Sequence, residues 1–113
     1  STENNGGFLQ FRVNTKNIDK KKVQGIYLNV RGNNEKYYIH LRTAETLMPW
    51  HYYTSGFLTN KSWQTIQLPL DGFAPSSGWL RNSVRSSSIK SVAVVAYGRD
   101  HFADIQVAEI GFY

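Results

Sequence analysis

Apolar and polar side chains alternate along much of the chain with a period of two, which is typical of half-buried β-strands. In residues 25–31, Ile26, Leu28 and Val30 alternate with polar or aromatic residues. Residues 35–43 follow a Gly-Asn-Asn turn signal and alternate in the same way, so the two segments are predicted to pair as a β-hairpin. The pattern predicts strands at residues 8–13, 25–31, 35–43, 51–58, 63–68, 91–97 and 105–113.

These short strands, with turn signals between them and no convincing helical period, predict an all-β protein of the jelly-roll β-sandwich type. Residues 91–97 are apolar on both faces, as in a central strand of a sandwich. The length of 113 residues allows one domain but not two. We therefore expect residues 1–113 to form a single β-sandwich domain, or a fragment of a longer domain.

The alternation also separates a predicted core from a predicted outer face. The predicted core residues are Ile39, Leu41, Phe57, Trp63, Ile66 and Leu68. The opposite faces of the strands carry polar and aromatic residues: Arg12, Arg31, Tyr38, His40 and Arg42. If the strands adjoin, these side chains form one surface that could bind sugars by stacking, anions through arginine, or a protein partner. A solvated outer face also carries such residues, so the pattern alone leaves both interpretations open.

A second aromatic group lies at Trp50, Tyr52 and Tyr53. Trp50 follows a proline at the mouth of a loop, where its ring either caps the core or presents a stacking platform. Trp50 and Tyr53 complete the predicted set of ligand- or partner-binding residues.

Composition and charge exclude some classes of function. The net charge of +5 is spread over separate loops, which disfavours a nucleic-acid partner and leaves an anionic partner, a membrane surface or simple solubility open. The chain has no cysteine, which excludes disulfides, thiolate zinc sites and a cysteine nucleophile. The longest apolar run, residues 92–97, is far too short to span a membrane.

No pattern indicates catalysis. Most of the eight acidic residues lie in predicted turns or at the termini, and the chain contains no G-x-S-x-G, P-loop, G-x-G-x-x-G or H-E-x-x-H motif. A Ser-His-Asp arrangement stays open only because its members need not be neighbours in sequence. We expect a non-enzymatic binding domain with no cofactor and no metal.

Six segments in order resemble the complex I intermediate-associated protein family. They are NNGGFLQFR, GIYLNVRG, YYIHLRT, WHYYTSGF, WQTIQLPLDGF and IQVAEIGFY, and they are spread over nearly the whole chain, from residue 4 to residue 113. The resemblance implies a galactose-binding-like jelly roll and a role as an assembly or chaperone-like factor. It implies a protein partner, such as a subunit of a membrane respiratory complex, bound through a concave face of arginine and aromatic side chains. The alternative is a carbohydrate-binding module that uses the same face.

The sequence departs from the family pattern at its beginning. Family members have strands before the G-G-F motif that this chain does not show, so the sandwich is expected to lack its front and to leave residues 8–13 as an edge strand.

Overall fold

The computed structural model describes residues 8–11, 22–96 and 104–113, with only the backbone described for residues 8–11. Two antiparallel sheets pack face to face as a β-sandwich, which confirms the predicted all-β fold. The strands are β1 (Phe8–Phe11), β2 (Gly25–Arg31), β3 (Lys36–Thr43), β4 (Tyr53–Leu58), β5 (Gln64–Pro69), β6 (Ala74–Pro75), β7 (Ile89–Val95) and β8 (Gln106–Phe112). Within these ranges, no helix is long and apolar enough to cross a membrane.

One sheet has five strands in the order β1-β7-β3-β4-β6, and the other has three in the order β5-β2-β8. The chain therefore changes sheet on each side of β2, on each side of β5, and once more between β7 and β8. The strand β1 lies at the edge of the five-stranded sheet, as the sequence predicts. The two-residue strand β6 was not predicted, and its proline is tolerated because it lies at the other edge.

The predicted hairpin between β2 and β3 is wrong. The partners of β2 are β5 and β8, whereas β3 lies between β4 and β7 in the opposite sheet. Both strands turn an apolar row inward, and the two rows meet best when they face each other across the sandwich. The connection includes Asn34 with φ of 66°, a left-handed conformation that asparagine tolerates. Glu35 accepts a hydrogen bond from the Thr59 backbone N–H, which ties this connection to the one after β4.

The core follows the predicted alternation closely. Its fully buried side chains include Ile26, Leu28, Val30, Tyr37, Ile39, Leu41, Tyr53, Ile89, Val92 and Val94. Leu68 and Phe57 are also buried, and Ile66 packs against the core while partly exposed.

The prediction that Trp63 lies in the core is wrong, because 47% of its surface is exposed. Strand β5 turns residues 64, 66 and 68 inward, so residue 63 is one position out of phase with the buried row. Its ring lies instead against Arg31, whose Cζ is 5.1 Å from the ring centroid. The tryptophan therefore belongs to the outer surface of the three-stranded sheet.

Candidate functional site

A pocket of about 330 Å³ opens on the outer face of the five-stranded sheet, and we call it the β3–β7 pocket. Strand β3 contributes His40 and Arg42, and residues 44–52, the loop between β3 and β4, contribute Pro49 and Tyr52. The floor is β7, through Ser91, Ala93 and Val95. Two of these three floor residues are small, so the sheet surface is recessed between the larger side chains of β3 and the loop.

The register of the sheet explains why these residues meet. Ala93 is the Cα partner of His40 on one side and of Gln10 in β1 on the other. Residues directly opposite each other in antiparallel strands share a face, so the outward side chains of β3 and β7 form continuous rows. The alternation of large inward valines with small outward residues in β7 therefore produces the hollow.

Arg42 holds the loop that forms the pocket wall. Its Nη1 donates hydrogen bonds to the carbonyl oxygens of His51 at 2.8 Å and Pro49 at 3.2 Å, and its Nη2 donates to the carbonyl of Thr46 at 2.8 Å. Both terminal nitrogens of the guanidinium are thus engaged by backbone carbonyls. An anion bound in bidentate fashion would therefore have to compete with these carbonyls for Nη1 or Nη2.

His40 and Tyr52 form a stacked pair in the pocket. Their ring centroids are 4.0 Å apart and their planes differ by 12°. Burial lowers the pKa of His40 from 6.5 to about 4, so the imidazole is neutral at pH 7. The charge of the described lining at neutral pH is therefore that of Arg42 alone, and the arrangement favours an uncharged occupant with an apolar face.

Two further predicted residues lie on the surface near this pocket. The outward-facing Tyr38 lies two residues before His40, and its ring covers the backbone of Gly56 with Lys36 Nζ 5.5 Å from the ring centroid. Trp50, which follows Pro49 in the loop, is 60% exposed and packs edge-on against His51. Tyr38, His40 and Arg42 thus share the outer face of the five-stranded sheet, and Trp50 lies in the loop that forms the pocket wall.

Two other predicted residues do not belong to this surface. Arg31 ends β2 in the opposite sheet, where its Nε donates to Gln106 Oε1 at 2.7 Å. Tyr53 was predicted to bind a ligand or partner, but it lies in the core: it is 1% exposed, shares the inward face with Phe57, and donates its hydroxyl hydrogen to the Arg81 carbonyl at 2.8 Å. The predicted single surface containing Arg31 is wrong because β2 and β3 lie in different sheets. Arg12 lies outside the described residues.

The sequence prediction also missed the pocket floor. Small side chains such as Ser91 and Ala93 carry no chemical signal of their own, and only the strand order shows that they lie beside His40. The sequence places Tyr52 in an aromatic group, but its contact with His40 depends on the fold of the loop. Among residues 22–96 and 104–113, no group of three histidine or acidic side chains is arranged to hold a metal ion.

Comparison with known proteins agrees with the resemblance seen in the sequence. The family model described as complex I intermediate-associated protein 30 matches residues 1–104, which include every strand from β1 to β7. No curated protein matches the chain. The family consists of assembly factors that are in general not enzymes, and its name indicates a role related to complex I assembly. The chain therefore belongs to the complex I intermediate-associated protein 30 family.

Proposed function

We propose that this domain acts in complex I assembly by binding a segment of a protein partner in the β3–β7 pocket. The observation that carries the proposal is the pocket itself, a recess of about 330 Å³ on an outer sheet face whose wall is held by part-buried hydrogen bonds from Arg42. Its volume lies at the low end of the about 300–1,000 Å³ that ligand pockets occupy, which suits one or two side chains of a partner.

The chemistry of the lining favours an apolar or aromatic side chain as the occupant. Ala93 and Val95 form an apolar floor, while the stacked rings of His40 and Tyr52 form an aromatic side wall. The neutral His40 adds no charge that an apolar group would have to desolvate. Outside the pocket, exposed tyrosine and tryptophan are the residue types that dominate binding energy at protein interfaces.

The test is to fill the recess without disturbing the hydrogen bonds between Arg42 and the loop. Ala93→Phe places a ring on the floor, and we expect recovery of complex I assembly intermediates with the tagged protein to fall by about tenfold or more, since the central contact of such an interface is worth upwards of about 1.4 kcal/mol. The measurement is crosslinking in the source cells, followed by affinity isolation and native gels.

A matched control is Ala108→Phe, the same change at an exposed position of β8 in the other sheet. This variant should recover intermediates like the unmodified protein. Unchanged recovery with Ala93→Phe, in a protein shown by circular dichroism to be folded, would exclude the pocket as the binding site.

A carbohydrate is the second candidate occupant, and one observation favours it. The Tyr52 ring lines the pocket while Trp50, next to Pro49 of the lining, leaves 60% of its surface in solvent, so two aromatic rings are available near one recess. Sugar rings stack on such platforms. A glycan array should then show saturable binding that Tyr52→Ala and Trp50→Ala each weaken, whereas an array without signal excludes this candidate.

A further inference from the structure

Two loops lie at the same end of the sandwich, and we call them together the two-loop tip. They are residues 44–52, between β3 and β4, and residues 76–88, between β6 and β7. Because the strands are antiparallel, the end of β3, the start of β4, the strand β6 and the start of β7 all lie at this end.

Hydrogen bonds and an ion pair join the two loops. Ser76 Oγ donates to the carbonyl of Trp50 at 2.7 Å and accepts from the Tyr52 N–H at 3.0 Å. Arg81 Nε lies 3.0 Å from Glu45 Oε1, and Ala44 donates its N–H to the carbonyl of Ser88. These bonds hold the two loops together at the tip.

This tip presents large apolar side chains to solvent. Trp79 is 91% exposed, Leu47 81%, Trp50 60% and Met48 40%. They are four of the six large hydrophobic side chains that are exposed in the part of the chain with described side chains. Exposure of such side chains together in linked loops is unusual for a surface that faces only water. The high exposed fractions of Leu47 and Trp79 show that these two protrude and do not line a groove.

The charges around these side chains are positive on balance. The only acidic residue in the two loops is Glu45, and it is paired with Arg81. Arg85 in the second loop and Lys90 at the start of β7 are exposed cations. A surface with protruding tryptophan and leucine beside cations matches the interface of an anionic bilayer, where aromatic rings lie among headgroups and lysine or arginine is attracted to anionic lipids.

We propose that the two-loop tip docks on an anionic lipid bilayer and places Leu47, Met48, Trp50 and Trp79 in its headgroup region. The domain would then be a peripheral membrane protein whose β3–β7 pocket lies close to the bilayer surface, because loop 44–52 forms both the pocket wall and part of the tip. The inference does not depend on the pocket's occupant, since neither Leu47 nor Trp79 lines the pocket.

The test is sedimentation of the purified protein with phosphatidylcholine vesicles that contain or lack phosphatidylserine. We expect binding to the vesicles with phosphatidylserine, weakened by salt because the attraction to lipid charge is screened. The double variant Leu47→Ser with Trp79→Ser should lower the partition coefficient by about tenfold or more, since it removes the two most exposed apolar side chains.

The chain offers a matched control at the opposite end of the sandwich. Leu58 and Trp63 are 66% and 47% exposed there, and the double variant Leu58→Ser with Trp63→Ser changes the same two residue types. This control should bind the vesicles within about twofold of the unmodified protein, and the pocket variant Ala93→Phe should bind them like the unmodified protein. In the Trp63→Phe variant, fluorescence of the remaining tryptophans should be quenched by brominated lipids.

Three outcomes would overturn the proposal. They are no binding to either kind of vesicle, equal losses in the two double variants, or sedimentation of the free protein as a dimer that the tip variant dissociates. The last result would assign the tip to contact with a second copy of the chain.

Discussion

On the outer face of the three-stranded sheet, side chains bond to one another across the strands. Tyr27 donates its hydroxyl hydrogen to Glu109 Oε2 at 2.8 Å, and its ring covers the backbone of Gly111. Arg31 donates to Gln106 and lies against the ring of Trp63. These aromatic and charged side chains therefore contact one another within the face.

The outer face of the five-stranded sheet uses the same residue types differently. Arg42 bonds to backbone carbonyls of a loop, not to side chains of a neighbouring strand. The strand beside it offers Ser91 and Ala93, which are too short to bridge to β3. The result is a recess whose wall is held by these hydrogen bonds. The difference shows that arginine, tyrosine and tryptophan on an outer face border a recess only where the adjacent strand leaves space beside them.

The largest loss of stability is expected on the five-stranded sheet, when Arg42 is replaced. Arg42→Met keeps an unbranched side chain over the strand but removes the guanidinium and all three bonds to the loop carbonyls. We expect the free energy of unfolding to fall by about 2–3 kcal/mol, since partly buried carbonyls lose charged donors. Urea unfolding monitored by circular dichroism measures it. A loss below about 0.5 kcal/mol would mean that the loop keeps its conformation without the hydrogen bonds from Arg42.

The second prediction concerns His40 in the pocket. Burial depresses its pKa to about 4 from 6.5, so the unfolded chain binds more protons than the folded protein between these values. The stability contributed by the neutral imidazole is complete above pH 6.5 and is lost as the pH falls towards 4. We expect a loss of about 1–2 kcal/mol, discounted because the ring is only half-buried and solvent screens it.

The control is His40→Gln, whose free energy of unfolding should vary less with pH over this range. A His40 resonance that titrates near 6.5 by NMR would contradict the burial of the ring.

Arg31 should contribute much less than Arg42 to the free energy of unfolding. Arg31→Met removes one exposed hydrogen bond to Gln106 and the contact with the Trp63 ring, so we expect a loss of less than about 1 kcal/mol in the same urea experiment. If Arg31→Met lowered the free energy of unfolding as much as Arg42→Met, the two arginines would not differ in their contribution to stability.

The smallest effect is expected for Tyr27 on the outer face of the three-stranded sheet, and it is a shift in pKa. Its hydrogen bond to Glu109 raises the pKa of the phenol above the ordinary 10.0, with smaller contributions from burial and from the glutamate's charge. Absorbance at alkaline pH follows this titration. Glu109→Gln should bring the midpoint of Tyr27 back towards its ordinary value, and an unchanged midpoint would show that the pair does not form in solution.

The strands themselves could be predicted from sequence because inside and outside alternate locally along each one. The alternation places Ile26, Leu28 and Val30 in one row and predicts Ile39 and Leu41 in the core, and the structure buries all five. The same alternation could also have placed Tyr53 in the core, since it shares a face with Phe57, and Trp63 outside it, since it is out of phase with Ile66. In both cases the position of the residue in the alternation, and not the type of its side chain, decides whether it is buried.

The family and the all-β class were likewise available from the sequence, because six segments in order and a period of two depend only on residues near each other along the chain. The pairing of strands was not. Whether β3 lies beside β2 or β7 depends on how two apolar rows close one core, which is a contact between distant segments. That choice separated Arg31 from Arg42, brought Ala93 beside His40, and placed the two exposed loops at one end. The tertiary structure alone therefore decided where the recess lies and which polar side chains surround it.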